Sequence, residues 1–141
     1  MKLGSKIIID ASVALKWALP EEEDMEQALL LKQDFVSRKL LVAVPAHFMT
    51  EVFNTLFRKN PSQALSFLSF FLMAPFQYYS LSLEVASIAG ILMKKHSKVS
   101  FYDAFYHALA IHKEGTFVTA DEQYYKAVKK EGHIVLLKNY K

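Results

Sequence analysis

The chain has 141 residues, 52% hydrophobic and 22% charged, with 4 Gly, 4 Pro and no cysteine. That length allows roughly two thirds of the unfolded surface to be buried, enough for a single domain over residues 1–141, and the apolar content excludes disorder. Without cysteine there is no disulfide framework, thiolate zinc site or thiol nucleophile, which fits a reduced, cytoplasmic setting; a net charge of +3 is a mild bias towards anionic partners.

The stretch before Asp10 is too short for a signal peptide and meets an acid at once. Ile7-Ile8-Ile9 is a β-branched run without alternation, as in a strand covered on both faces of a parallel sheet. Ala11 to Leu19 reads as helix and stops at Pro20; a second helix runs from Glu22 to Arg38, with acids in its first turn where the dipole favours them. Leu40 to Val44 is the second strand, closed by Pro45. The helix that follows to Lys59 carries Phe48, Met49, Val52, Phe53 and Leu56 at helical spacing. Asn60-Pro61 reads as an N-cap followed by proline at the first helical position.

From Asn60 to Leu83 there is no charged residue, but Pro75 breaks the run and Gln77, Ser80 and Ser82 dilute it. It therefore reads as one helix and one strand, not a membrane span. The Phe-rich helix serves equally as core or as an interface surface. Phe76 to Leu81 is the third strand. Ser82 caps a helix to Lys95, and Ser100 caps another to Lys113. Gly115 leads into the fourth strand, Thr116 to Thr119; a last helix spans Asp121 to Lys130, Gly132 ends it, and Ile134 to Leu137 is the fifth strand. Strands joined by helices imply an α/β fold with a parallel sheet and right-handed crossovers, in which ligands sit at the carboxyl ends of the strands.

Four carboxylates fall at that edge. Asp10 ends the first strand, Glu51 lies early in the helix after the second, Asp103 lies in the first turn after Ser100, and Asp121 follows the fourth strand by one residue. Like charges gathered together raise one another's pKa and call for a cation. Oxygen ligands without Cys or a paired His suit Mg²⁺ or Mn²⁺ over zinc, and such ions support in-line displacement at phosphorus. Three of the acids also have a structural reading: Asp103 completes a capping pattern with Ser100, Asp121 caps its own helix, and Glu51 is a solvated helix residue; Asp10, at the mouth of a buried strand, is the hardest to dismiss in that way. Their common edge favours the site.

Glu51, Asn54, Thr55 and Arg58 form one polar stripe. Asn54 is placed to orient a ligand, and Arg58 either meets a phosphate or belongs to a solvated face. Ser12 and Thr119 are hydroxyls beside Asp10 and Asp121. His107 and His112 are five residues apart, on different helix faces; these and His47, His96 and His133 read as structural or surface residues. Basic residues cluster at Lys94, Lys95 and Lys98 and at Lys126, Lys129 and Lys130, matching either an RNA backbone or the helix dipole.

Ile7 to Ser12, Glu51-Val52-Phe53-Asn54, Tyr102 to Ala110 and Thr119-Ala120-Asp121-Glu122 resemble, in order, the motifs of PIN-domain ribonucleases. The Asp-Ala-Ser opening is most similar to VapC-type toxins of toxin–antitoxin pairs. The resemblance implies a three-layer α/β/α fold with a central, mostly parallel sheet of about five strands. It implies a Mg²⁺- or Mn²⁺-dependent endoribonuclease leaving 5′-phosphate and 3′-hydroxyl ends. Asp10, Glu51, Asp103 and Asp121 would be the catalytic and metal-holding acids, with Ser12, Asn54 and Thr119 in support. It also implies a homodimer and an antitoxin that blocks the site. The alternatives are an RNA-processing nuclease that is not a toxin and a non-catalytic RNA-binding domain. A phosphatase of the nucleophilic-aspartate kind expects an acid two residues after Asp10, where Ser12 stands.

Overall fold

Three consecutive isoleucines form the centre of the molecule. In the computed structural model, which describes residues 4–19 and 23–141, β1 (Lys6–Ile9) has Ile7, Ile8 and Ile9 fully buried. Such a strand needs a neighbour on each edge and a helical layer on each face. It has β2 (Leu41–Pro45) on one side and β4 (Thr116–Thr119) on the other, both parallel, with Ile8 opposite Ala43 and Phe117. β3 (Gln77–Tyr79) and β5 (Ile134–Leu136) complete a parallel five-stranded sheet in the order β3-β2-β1-β4-β5.

The connections are α1 (Ala11–Ala18), α2 (Met25–Val36), α3 (Phe48–Lys59), α4 (Pro61–Met73), α5 (Leu83–Lys95), α6 (Phe101–His112) and α7 (Glu122–Val128). The order runs outward from β1 to β3 and then returns past β1 to β4 and β5. Right-handed crossovers therefore place α1–α4 on one face and α5–α7 on the other. The α1–α4 side is sealed by aromatics: Phe35 and Phe76 have ring centroids 4.7 Å apart, and Trp17 stacks near Phe35 and Phe71 at 6.0 and 6.3 Å. Among the described residues, no helix is long and apolar enough to cross a membrane.

Ser82 and Ser100 cap α5 and α6 as expected, accepting from the Val85 and Asp103 amides at 3.2 and 3.1 Å. Asn60 does not cap α4 with its side chain. Its Oδ1 accepts from the Ser62 hydroxyl at 3.2 Å, and its backbone carbonyl takes the Gln63 and Ala64 amides. The last helix ends earlier than its pattern implies, tightening into a 3₁₀ turn over Lys129–Glu131 before Gly132, whose φ of 75° suits glycine. The expected stop at Pro20 and the start of the second helix at Glu22 lie outside the described residues. In α4 only Ala64 and Phe71 are buried; Leu65, Leu72 and Met73 are exposed, the last to 85%.

Candidate active site

β1 and β4 are adjacent, but the chain leaves them in opposite directions, β1 towards β2 and β4 towards β5. That divergence opens a crevice beyond their carboxyl ends, the place where open α/β sheets bind ligands. Asp10 stands at the end of β1 and Asp121 two residues beyond β4. The Lys113–Gly115 turn joins the C-terminus of α6 to the start of β4, so the N-terminus of α6, with Asp103, returns to the same edge. Glu51 lies in the first turn of α3, which follows β2.

Asp10 is fixed by one hydroxyl from α1 and one from β4. Ser12 Oγ donates to its Oδ1 at 2.5 Å and Thr119 Oγ1 to its Oδ2 at 2.6 Å, the short range of hydrogen bonds to a charged acceptor. Each hydroxyl also accepts: Ser12 Oγ from the Ala120 amide and Thr119 Oγ1 from the Asp121 amide, both at 3.1 Å. The amides beyond β4 are thus relayed onto the acid of β1. Asp121 Oδ1 in turn accepts from the Tyr124 amide at 2.9 Å and caps α7. Asp121 therefore combines the capping role with its place at the edge.

Glu51 Oε1 accepts from the Tyr106 hydroxyl at 2.9 Å. Burial, then the Glu51 charge, holds that phenol far above its usual range, so it stays a donor. His47 Nε2 also lies 2.9 Å from Glu51 Oε1, off the line of a hydrogen bond, with its ring among Tyr102, Phe105 and Tyr106. His47 thus stands beside one of the four acids and not at a remote surface. The i, i+4 spacing to Glu51 was its signal; Tyr106, 55 residues from Glu51, gave none.

The acids feel one another. Burial pushes Asp10 up to about 6; the Ser12 and Thr119 hydroxyls oppose this and the Asp103 charge adds to it. Asp103 is raised as well, by burial first and then, against the Ser100 hydroxyl, by the charges of Asp121 and Glu51. The hydroxyl of Tyr124 is raised by burial and by Asp103, Asp10 and Asp121. The other three carboxylates are thus all within electrostatic reach of Asp103.

Asn54 and Arg58 bond to each other one and two turns beyond Glu51 on α3. Asn54 is exposed, and its Oδ1 accepts from Arg58 Nε at 3.4 Å. Arg58 is held to its own helix in this way, as in the solvated-face reading. His107 is fully buried; the Gly132 carbonyl accepts from Nε2 at 2.7 Å, which leaves Nδ1 to accept from the Tyr124 hydroxyl at 3.0 Å.

The donor chemistry fits a hard divalent cation: four carboxylates, no sulfur, and mutual repulsion that a positive ion would relieve. Among the described residues, however, no three acidic or imidazole side chains stand together as the ligand set of one ion. Both oxygens of Asp10 are held by hydroxyls, and one oxygen of Asp121 caps α7.

Comparison with known proteins follows the same line. The model of the PIN domain family matches residues 7–130. No curated protein matches the chain. VapC20 of Mycobacterium tuberculosis, a sarcin-ricin loop cleaving toxin, superposes with a TM-score of 0.64 at 18% identity, over 86% of this chain and 94% of that one. DNA-bound VapBC of Salmonella typhimurium gives 0.68 at 14% identity, over 94% and 98% of the two chains. VapBC2 of Rickettsia felis, bound to a promoter DNA fragment, gives 0.66 at 16%, over 93% and 96%. At these identities the likeness is one of fold.

Proposed function

The chain belongs to the PIN domain family, and on that footing we propose that it is a divalent-metal-dependent endoribonuclease, the toxin of a toxin–antitoxin pair acting in the cytoplasm. The observation that carries the reading is the placement of Asp10, Glu51, Asp103 and Asp121 at the ends of β1 and β4 and the starts of α3 and α6 on one edge of the sheet. These four acids would hold Mg²⁺ or Mn²⁺. When bound, the cation supplies charge neutralisation on the phosphate and the leaving oxygen, and makes the attacking water more acidic.

The chain's own part is placement. Ser12 and Thr119 hold Asp10, Tyr106 holds Glu51, and the Tyr124 amide holds Asp121. Burial, and then the charges of Asp121 and Glu51, raise Asp103 against the Ser100 hydroxyl, so it holds a proton more readily than a solvated carboxylate does. Structural neighbours that are toxin–antitoxin complexes support a protein antitoxin as partner. The exposed Leu65, Leu72 and Met73 on α4 suit burial against that antitoxin or against a second copy of the chain.

The test is incubation of the purified protein with a mixed pool of structured and single-stranded RNA in Mn²⁺, Mg²⁺ or EDTA. Cutting that needs the metal, is lost in Asp10→Asn and Asp103→Asn, and leaves 5′-phosphate ends is the expected result. Cutting that persists in EDTA or in both variants refutes the assignment.

A further inference from the structure

Asp121 lines two cavities, one on either side of it. The larger, about 570 Å³, is lined by Lys16 and Lys138 against Glu23, Asp24 and Glu122. Apart from Asp121 it carries one negative charge in excess, and Lys138 Nζ is engaged by Glu122 Oε1 at 2.6 Å. A polyanion gains nothing there. The smaller cavity, about 200 Å³, lies between the α5–α6 connection and α7 and opens onto both Asp103 and Asp121. Its other lining residues are Lys98, Val99, Gln123, Tyr124 and Ala127, so Lys98 is the one cation of a lining that, with Asp103 and Asp121, sums to one negative charge.

Further basic residues lie on the elements beside Lys98. Glu131 Oε1 lies 3.1 Å from His96 Nε2, and Glu131 Oε2 lies 3.5 Å from Lys95 Nζ. These contacts bring the end of α5 against the 3₁₀ turn after α7. The exposed lysines of 94–98 and 126–130 therefore lie on neighbouring elements, with Lys98 at the cavity itself. On α7, Gln123 and Ala127 share the cavity face, with Lys126 one step round the helix. The wall is also rigid: the Tyr124 hydroxyl is bonded to His107 and the Tyr124 amide to Asp121.

A volume below the roughly 300 Å³ of ordinary small-molecule pockets suits one planar ring system better than a whole ligand. Single-stranded RNA offers such a unit beside every phosphate: a base with an apolar face and hydrogen-bonding edges. We propose that this cavity is the subsite for the nucleotide next to the scissile phosphate, with the base against Val99, Tyr124 and Ala127, the Gln123 amide on its edge, and Lys98 on its phosphate. The proposal rests on the ribonuclease reading of the same centre for the nature of the substrate. It assigns the RNA strand a direction, away from the larger cavity and past the exposed lysines, and makes Gln123 a determinant of cut-site preference.

The experiment compares Lys98→Ala, Gln123→Ala and the cavity-filling Ala127→Trp with the parent and with Lys138→Ala on the opposite cavity. All three substituted subsite residues line an open surface, and circular dichroism checks that each variant keeps the parent fold. Binding of labelled single-stranded RNA is followed by anisotropy across a salt series in an Asp10→Asn background; cut-site profiles on a random RNA pool are sequenced in the active background. Ala127→Trp and Lys98→Ala are expected to weaken binding about tenfold, Lys98→Ala also lowering the salt slope by about one. Gln123→Ala is expected to flatten the base preference at one position beside the cut, and Lys138→Ala to change neither readout.

Affinity, slope and profile all unchanged in the three variants overturn the subsite, as does an equal effect from Lys138→Ala. A parent that binds RNA without cutting refutes the nuclease reading and leaves the subsite to be decided by affinity. A parent that binds no RNA overturns the subsite.

Discussion

Replacing Asp10 by Asn should stabilise the protein while removing its proposed activity. Burial holds the Asp10 carboxyl at about 6 against an ordinary 3.8, so the folded state binds its proton more tightly than the unfolded chain does. Between those two values the folded state carries the extra proton, and stability therefore falls as pH rises from about 4 to about 6 and stays reduced above. A difference of about 2.2 units at 1.36 kcal/mol each puts the full penalty near 3 kcal/mol at neutral pH. Asn escapes that penalty but exchanges one acceptor oxygen for a donor. One of the two hydroxyls, Ser12 or Thr119, then loses its partner, at a cost of about 1 kcal/mol. The net gain is about 2 kcal/mol, or roughly 6–8 °C in Tm for a chain of this size. Thermal and urea unfolding in EDTA from pH 4.5 to pH 8 measures it, the gap shrinking below about 1 kcal/mol at the acid end. Adding Mg²⁺ should then raise the Tm of the parent and not of the variant. A variant no more stable than the parent at pH 7.5, or a gap independent of pH, refutes the burial argument.

Three further outcomes follow from single contacts. A Cβ added at Gly115 would lie 2.6 Å from the Lys6 carbonyl oxygen, so Gly115→Ala must push β4 from β1; a loss of about 1–3 kcal/mol in urea unfolding is expected, and no measurable loss refutes it. Tyr106→Phe removes the donor to Glu51, and a stability loss of about 1 kcal/mol with several-fold slower RNA cleavage is expected; cleavage at the parent rate shows that Glu51 needs no such anchor. His107 is held below its ordinary value, by burial first, so its contribution is present above pH 6.5 and lost as pH falls. His107→Leu leaves the Tyr124 hydroxyl and the Gly132 carbonyl without their partner, costing about 2–4 kcal/mol at pH 8 and less at pH 5. Urea midpoints at the two pH values decide the matter, a constant gap counting against it.

The position of the four acids at the carboxyl edge of the sheet was legible because it needs only strand polarity and chain order. A buried run such as Ile7-Ile8-Ile9 announces a central strand, and whatever follows it lies at the carboxyl edge. Local chemistry was harder to read. Asn54 and Arg58 share a helix stripe with Glu51, but spacing does not show that they bond each other and stay exposed. Asn60 had the right residue type for a cap, and the neighbouring Ser62 hydroxyl took its oxygen instead. The missing charges on α4 were equally compatible with both sides of the helix; only packing shows Phe71 turned inward and Leu72 outward. Contacts between distant segments, Tyr106 on Glu51 and Glu131 on Lys95 and His96, leave no trace in periodicity.

The hydroxyl relay between β1 and β4 also bears on when the centre can exist. Thr119 reaches Asp10 across 109 positions, and Ser12 takes the Ala120 amide across 108. Synthesis on the ribosome proceeds from Asp10 towards Asp121, so a nascent chain carries its first acid long before the strand that orients it has been made. Until β4 has emerged and paired with β1, Asp10 has neither the Thr119 hydroxyl nor the neighbouring strand that buries it. On the ribonuclease reading, the proposed centre is therefore incomplete until β4 has paired with β1.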